Sequence, residues 1–330
     1  MKENKENKIP KKKKRVAVLM GGPSHEHEVS IKSGNKVVEN LHKGKYEVTP
    51  VLISKTGSWA FEPKHLAENS DVVFIALHGN YGEDGMAQSM LEAEGIQYTG
   101  SGTLASALAM NKFLSGEVFR RNGLAVPLSF LVDKKEWTNN REDVFARIKN
   151  YLSFPFVVKP NNQGSSVGVH VVRNWGELTD ALYDAFSVSK SVLMQIFIKG
   201  VEVSCGVLDF GWQGSEYALL PTEIIPRSSS FFNFDSKYVE GGSEEITPAR
   251  FQEHVLRDIQ RTAIMAHKSV GAKGFSRTDM IVDSRGVIFV LEVNTIPGLT
   301  ENSLLPKAAL ASGISFEDLL DRIIEAASKQ

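Results

Sequence analysis

The segments FSRTDMIVD and VIFVLEVNT, joined by Ser284, Arg285 and Gly286, carry the side chains with the clearest chemical content in the sequence. Side chains two apart on a strand share a face, so Arg277 looks the same way as Asp279, and Glu292 the same way as Asn294. A turn on Arg285 and Gly286 sets Asp279 opposite Glu292 and Arg277 opposite Asn294. Two carboxylates opposed on a half-buried face repel unless a cation or a proton neutralises them. With an amide oxygen and an arginine beside them, they suggest an all-oxygen site for a hard ion such as Mg²⁺. The alternative is an exposed edge hairpin with scattered charges.

Other segments add anion-binding and acid–base groups. NNQGSSVG (161–168) lies between the apolar runs FVVKP and VHVVR. A glycine-rich turn of this kind can lay its backbone N–H groups over phosphate oxygens. Lys159, two residues upstream, and Lys112, at a helix start, can each meet phosphate charge. No GxxxxGK[ST] occurs, which excludes a P-loop. GGPSHEHEVS (21–30) joins a strand to a helix, where unsatisfied N–H groups and the helix dipole favour anions, and Glu26 within it could hold a substrate ammonium. His25 and His27 alternate there without a third nitrogen or sulfur ligand nearby, so solvated imidazoles are the simpler reading. ALHGNYGEDG (76–85) places His78 and Glu83 on another post-strand loop. The stretch from Arg227 to Glu245, with Phe231, Phe232, Phe234 and Tyr238 in polar surroundings, reads as a lid over a ligand or as a permanently closed Ω-loop.

The elements that must position these groups follow from periodicity. RVAVLM, YEVTPVLI and DVVFIALHG are strands alternating with helical stretches, MAQSMLEAEG closes at Gly95, and TLASALAMNKFLSGEVFRRNG runs as helix to Gly123. Up to residue 111 this describes an open α/β layer whose ligands sit at the C-terminal ends of strands. PLSFLV, FPFVVKP, VGVHVVR and SVLMQIFI, with helices at KEWTNNREDVFARIKNYL and WGELTDALYDAF, fit a small antiparallel α+β unit over 112–197. The remainder, 198–330, combines VEVSCGVLDF, YALLPTEII, the lid, the helix ARFQEHVLRDIQRTAIMAHKSVG, the opening hairpin and a last helix FEDLLDRIIEAASK.

With 330 residues, 42% of them hydrophobic, the chain is long enough for two or three cores. Residues 1–15 hold eight basic and two acidic side chains, so a net charge of −1 leaves −7 on the rest, which argues against nucleic acid as a partner. Residues 1–14 lack the apolar surface to offset ordering and read as a solvated tail; PKKKKRV also resembles a nuclear-import or polyanion-binding run. No apolar run is long enough to cross a membrane and no signal-peptide pattern is present, which points to a cytoplasmic location. Cys205 is the single cysteine and is most simply a reduced core residue.

Taken together, these motifs resemble the D-alanine:D-alanine ligase family of the ATP-grasp fold. GGPSHEHEVS, HGNYGEDG, YTGSGTLASALAMNK, VVKPNNQGSSVG, KYV, SRTD and LEVNTIPGLTENSLLP are similar to that family's blocks in order and spacing, and cover nearly everything from Arg15 onward. The resemblance implies α/β and α+β units in a three-domain ATP-grasp fold: an N-terminal open parallel α/β domain over 15–111, and two α+β domains, 112–197 and 198–330, clasping ATP. It implies ATP phosphates on Lys112 and Lys159 under the glycine loop with Ser166, adenine and ribose at Gln195 and Glu202, and two Mg²⁺ (or Mn²⁺) on Asp279, Glu292 and Asn294. It further implies that Glu26 binds the ammonium of the first D-alanine beside His78. Arg277 and the N–H of Gly298 would stabilise the oxyanion, and Lys237, Ser303 and the N–H of Leu304 would bind the second D-alanine. Ser165 and Tyr238 would link to Glu26 and close the lid, and a homodimer is the family's usual assembly. Tyr238 favours a dipeptide over a depsipeptide product.

Two departures bear on the nucleotide. Where the family commonly has an acid and a lysine on the adenine strand, this chain has Gln195 and Ile196, a neutral acceptor that weakens adenine selection. Where it often reads Met-Asp-Lys, this chain has Met110, Asn111, Lys112. The competing functions are another ATP-grasp carboxylate–amine ligase, a non-catalytic nucleotide-binding protein, and a nucleic-acid-associated protein resting only on the lysine tail.

Overall fold

The computed structural model describes residues 12–165, 167–210, 216–226 and 243–328. The first sheet is parallel: β1 (Lys14–Gly21) is central, flanked by β2 (Tyr46–Ile53) and β3 (Val72–Ile75), with α1 (His27–Asn40) and α2 (Pro63–Asn69) as crossovers. β1 starts at Lys14, inside the stretch expected to be a solvated tail, because Lys14 to Gly21 pair continuously with β2. Helix α1 lies so close to β1 that a Cβ on Gly34 would meet Met20 Cβ at 2.5 Å, so only glycine fits there. α3 (Met86–Ala93) and α4 (Thr103–Met110) follow.

The expected single helix from Thr103 to Gly123 is two. It breaks at Asn111, which leaves helical geometry and caps α5 (Lys112–Arg121) by accepting from Leu114 N–H. α5 and the strand-like segment after it pack toward the hairpin: Phe119 and Leu124 share a core with Val290 and Val293, and Ala125 C=O accepts from Val290 N–H. The antiparallel sheet proper therefore begins later than residue 112, with β4 (Ser129–Asp133). The helix expected over 135–152 is likewise two, α6 (Lys134–Asn139) and α7 (Arg141–Tyr151), parted at Asn140.

β5 (Phe156–Pro160), β6 (His170–Val172), α8 (Trp175–Val188) and β7 (Ser191–Ile196) complete this unit, in the antiparallel order β4-β7-β5-β6. Alternation decides its two faces. Phe156, Val158, Val192 and Met194 point into a core with Leu178, Leu182 and Ile148, which leaves Val157, Lys159 and Gln195 on the opposite, cleft-facing side.

The third sheet is antiparallel and larger. β8 (Gly200–Leu208) pairs with β9 (Tyr217–Ala218) and β10 (Thr222–Pro226), and β11 (Ser243–Ile246) extends the edge. α9 (Glu253–Ser269) covers one face through Ile259, Ala263 and Ala266, against which Cys205 is fully buried. β12 (Phe275–Asp283) lies between β8 and β13 (Ile288–Asn294). α10 (Leu304–Ala311) and α11 (Phe316–Ala327) end the chain, but Leu319, Leu320, Ile323 and Ile324 join the core of the first sheet with Val18, Phe74 and Leu77. Three hundred residues on, the chain returns to its own beginning.

Candidate active site

The hairpin brings its four polar residues together as pairs: Arg277 is opposite Asn294 and Asp279 opposite Glu292. The route differs from the simple turn. From Val282 to Met280 the partners are Ile288 to Val290, one position short of that pairing, and a bulge between Met280 and Asp279 restores it at Glu292. Leu291 is the extra residue, and Leu291 and Glu292 consequently both line the cleft, which strict alternation forbids.

On the nucleotide-sized side, a cavity of ≈ 380 Å³ is lined by Lys112, Lys159, Gln195, Glu202, Asp279, Leu291 and Glu292, with Phe197, Ile198 and Met280 among its apolar members. A second cavity of ≈ 560 Å³ is lined by Glu26, His78, Ser165, Arg277, Asn294, Gly298, Ser303 and Leu304. One hairpin serves both: Asp279 and Glu292 face the first, while Arg277 and Asn294, about 7 Å further along the strands, face the second. Ser166, Lys237, Tyr238 and most of the expected lid lie outside the described residues.

Asp279 is heavily bonded. Arg277 Nε and Nη2 donate to its two oxygens at 2.9 and 2.8 Å, Ser204 Oγ at 2.8 Å and Asn294 Nδ2 at 3.1 Å. Glu292 instead meets Lys112 Nζ at 2.8 Å, and that ammonium also donates to Gln163 C=O at 2.7 Å. Two carboxylates and an amide oxygen suit a hard divalent cation. Among the described residues no cluster of three or more His, Cys, Asp or Glu could hold a metal by itself. The protein donors alone would leave such a cation's coordination incomplete.

In the second cavity, Glu26 precedes α1 and accepts a hydrogen bond from Ser165 Oγ, 139 residues away in the chain. Ser165 holds φ 53°, a left-handed conformation unusual for a residue with a side chain. Gly79 is also left-handed, and a Cβ there would stand 2.7 Å from Glu26 Oε2. His78 is buried and spans units: Nδ1 donates to Ile296 C=O at 3.1 Å, so Nε2 accepts from Ser33 Oγ at 2.8 Å. Glu83 Oε1 is 3.5 Å from the same Nδ1. Burial pushes the Glu83 carboxyl up; the His78 hydrogen bond opposes that and the Glu26 charge reinforces it. Ser303 Oγ accepts from Thr300 N–H at 3.1 Å, and Leu304 opens helix α10 beside it.

This geometry has counterparts. Residues 118–325 match the family described as D-ala D-ala ligase C-terminus, and residues 15–70 and 60–101 match D-ala D-ala ligase N-terminus. The chain belongs to the D-alanine–D-alanine ligase family. It is 40% identical to the D-alanine–D-alanine ligase of Leptospira interrogans, over 96% of this chain and 99% of that one. It is 42% identical to that of Geotalea uraniireducens, over 96% of each. Among solved structures, the VanG D-Ala:D-Ser ligase of Enterococcus faecalis superposes with TM-score 0.84 at 32% identity, covering 96% of this chain and 100% of that one. The Bacillus anthracis D-alanine–D-alanine ligase complexed with ATP does so with TM-score 0.79 at 33% identity, covering 96% and 98%. The three sheets are thus those of an ATP-grasp ligase.

For this member of the D-alanine–D-alanine ligase family, sequence reasoning missed several residues of the site. Glu83 was visible only as a loop carboxylate. Ser204 could have been found, since it alternates with Glu202 on β8 and so shares its face. Leu291 could not, because a bulge leaves no mark in the alternation. No helix among the described residues is long and apolar enough to cross a membrane.

Proposed function

We infer that the chain joins two D-alanine molecules into D-alanyl-D-alanine, with ATP cleaved to ADP and phosphate, for peptidoglycan precursor synthesis. The observation carrying this reading is the hairpin that faces both cavities at once, Asp279 and Glu292 on one side and Arg277 and Asn294 on the other. A phosphoryl group held on the first side is then within one strand step of an acceptor on the second.

Lys112 and Lys159 bind the phosphates, with Gln195 and Glu202 at adenine and ribose. Two Mg²⁺ ions held by Asp279, Glu292 and Asn294 would supply neutralisation of the phosphate charge. Glu26 holds the ammonium of the first D-alanine and His78 packs beside it. A carboxylate oxygen of that substrate attacks the γ-phosphorus, the bond to the β,γ-bridging oxygen breaks, and ADP leaves with the electron pair. The acyl phosphate that results is attacked at its carbonyl carbon by the amine of the second D-alanine, which gives up its proton. Arg277 and the Gly298 N–H hold the oxyanion until phosphate departs. Ser303, the Leu304 N–H and Lys237 orient the second carboxylate, and Ser165 with Tyr238 secures the closed arrangement. Positioning and electrostatics suffice, with no covalent enzyme intermediate.

The same reading takes the chain as a cytoplasmic homodimer with domains at 15–111, 112–197 and 198–330. Cys205 is a free, buried cysteine whose thiol burial pushes up to about 12, which leaves it little reactive. The test is phosphate release from ATP and Mg²⁺ with and without D-alanine, with the product identified by mass. Dipeptide formation dependent on D-alanine is expected, with D-serine and D-lactate as competing second substrates. Dominant ester formation from D-lactate at neutral pH, or ATP turnover indifferent to D-alanine, would defeat it.

A further inference from the structure

The two phosphate-facing lysines sit on elements packed in different cores. Lys159 lies on β5 of the antiparallel sheet, whereas Lys112 opens α5, whose Phe119 is buried in the core beneath the hairpin. Something must fix one against the other, and the N–H groups of the first turn of α5 show what. Lys112 N–H donates to Asn161 C=O at 3.1 Å, Phe113 N–H to Asn161 Oδ1 at 2.9 Å, and Leu114 N–H to Asn111 Oδ1 at 3.0 Å. Those donors have no partner within a helix, so their satisfaction is assigned to residues 111 and 161. The circuit closes where Asn161 Nδ2 donates to Asn111 Oδ1 at 3.1 Å. Asn161 is 2% exposed, stands two residues after Lys159, and is anchored to β7 by its own N–H on Ser191 C=O at 3.1 Å.

We propose that Asn161 is a positioning residue for the nucleotide, clamping the start of α5 to the end of β5 so that Lys112 and Lys159 present their ammonium groups to the same phosphates. The proposal rests on the reading of these lysines as phosphate ligands. It carries a sharp asymmetry. Asn161 uses both halves of its amide, an oxygen toward Phe113 and an NH₂ toward Asn111, whereas the contacts of Asn111 in this circuit use only its oxygen. A carboxylate at 111 keeps every one of these bonds, and a carboxylate at 161 loses one and opposes two oxygens.

Titration with Mg·ADP tests this without requiring turnover, alongside KM for ATP and for D-alanine and a thermal unfolding curve. Asn161→Asp is expected to weaken Mg·ADP and raise KM for ATP about tenfold, the effect of one lost buried hydrogen bond, and Asn161→Ala, which loses two, at least as much. KM for D-alanine should stay within about twofold, and Asn111→Asp should bind Mg·ADP like the parent. If Asn161→Asp does not fold, Asn161→Ser takes its place with the same expected loss. Combining Asn161→Ala with Lys112→Ala should bind no more weakly than Lys112→Ala alone, because the clamp acts through that lysine. Multiplicative losses in the pair, Asn161 variants with parental affinity, or equal damage from Asp at 111 and at 161 overturn the proposal. Parental protein that binds Mg·ADP yet makes no dipeptide would sink the proposed reaction and leave the clamp standing. Failure of the parent to bind Mg·ADP would remove the basis of both.

Discussion

The two cavities are built in opposite ways. The nucleotide side is a sandwich of strand faces: Lys159 and Val157 from β5, Gln195 from β7, Glu202 from β8, Asp279 and Ile281 from β12, each placed by alternation along a rigid sheet. The proposed substrate side draws mainly on loop and helix ends, with Glu26 before α1, His78 after β3, Ser165 on the glycine loop and Gly298 and Ser303 before α10, beside Arg277 and Asn294 from the hairpin. Sheet faces tolerate a ligand that is mostly flat and apolar with a charged tail. Helix starts and loops converge charges and N–H groups from several directions on a small zwitterion, and they can separate to release a product.

That contrast predicts separable losses. The largest belongs to Glu26→Gln, which keeps shape and an acceptor for Ser165 but removes the charge proposed to hold the ammonium. A fall of about 10²–10³-fold in kcat/KM for D-alanine is expected, with Mg·ADP affinity unchanged. Equal damage to both would mean the cavities are not independent. A smaller effect is expected on the sheet side. Gln195→Glu replaces a neutral acceptor with a charged one, and should raise the preference for ATP over GTP about fivefold without altering KM for D-alanine. A nucleotide panel with an unchanged ratio would remove Gln195 from the base-recognition role.

The smallest is a stability effect on the wall of the second cavity. Glu83 has a carboxyl raised above its ordinary value of 4.5 by burial first, with Glu26 reinforcing the shift. A group raised on folding contributes stability that is full below the unfolded value and is lost as pH climbs through the folded value. Unfolding temperatures of Glu83→Gln and the parent should therefore diverge above pH 4.5, the variant becoming the more stable by about 2 °C at pH 8. A constant difference all the way from pH 4 to pH 8 would show that the fold does not raise the Glu83 carboxyl.

Strand faces were legible because a two-residue period is a local property of the chain. Arg277, Asp279, Glu292 and Asn294 could be set side by side from spacing alone, and Cys205 could be sent to the core. Helix breaks were not. Asn111 sits in a run of helix formers, and it ends one helix and caps another because Asn161, fifty residues on, supplies the remaining acceptors. The resemblance of whole motifs, and not the composition of its loop, is what singled out His78.

Motifs in order along the whole chain pointed to the ligase family, and the sequence by itself determined which residues share a face and where most strands fall. Those properties depend on neighbours a few positions apart. Only the tertiary structure decided that Ser165 reaches Glu26, that the last helix closes the first core, that a bulge at Leu291 restores the pairing of Asp279 with Glu292, and that Asn161 joins the two lysine-bearing elements. Each of these is a contact between segments far apart in the chain, fixed by the packing of all three cores together and encoded in no local pattern.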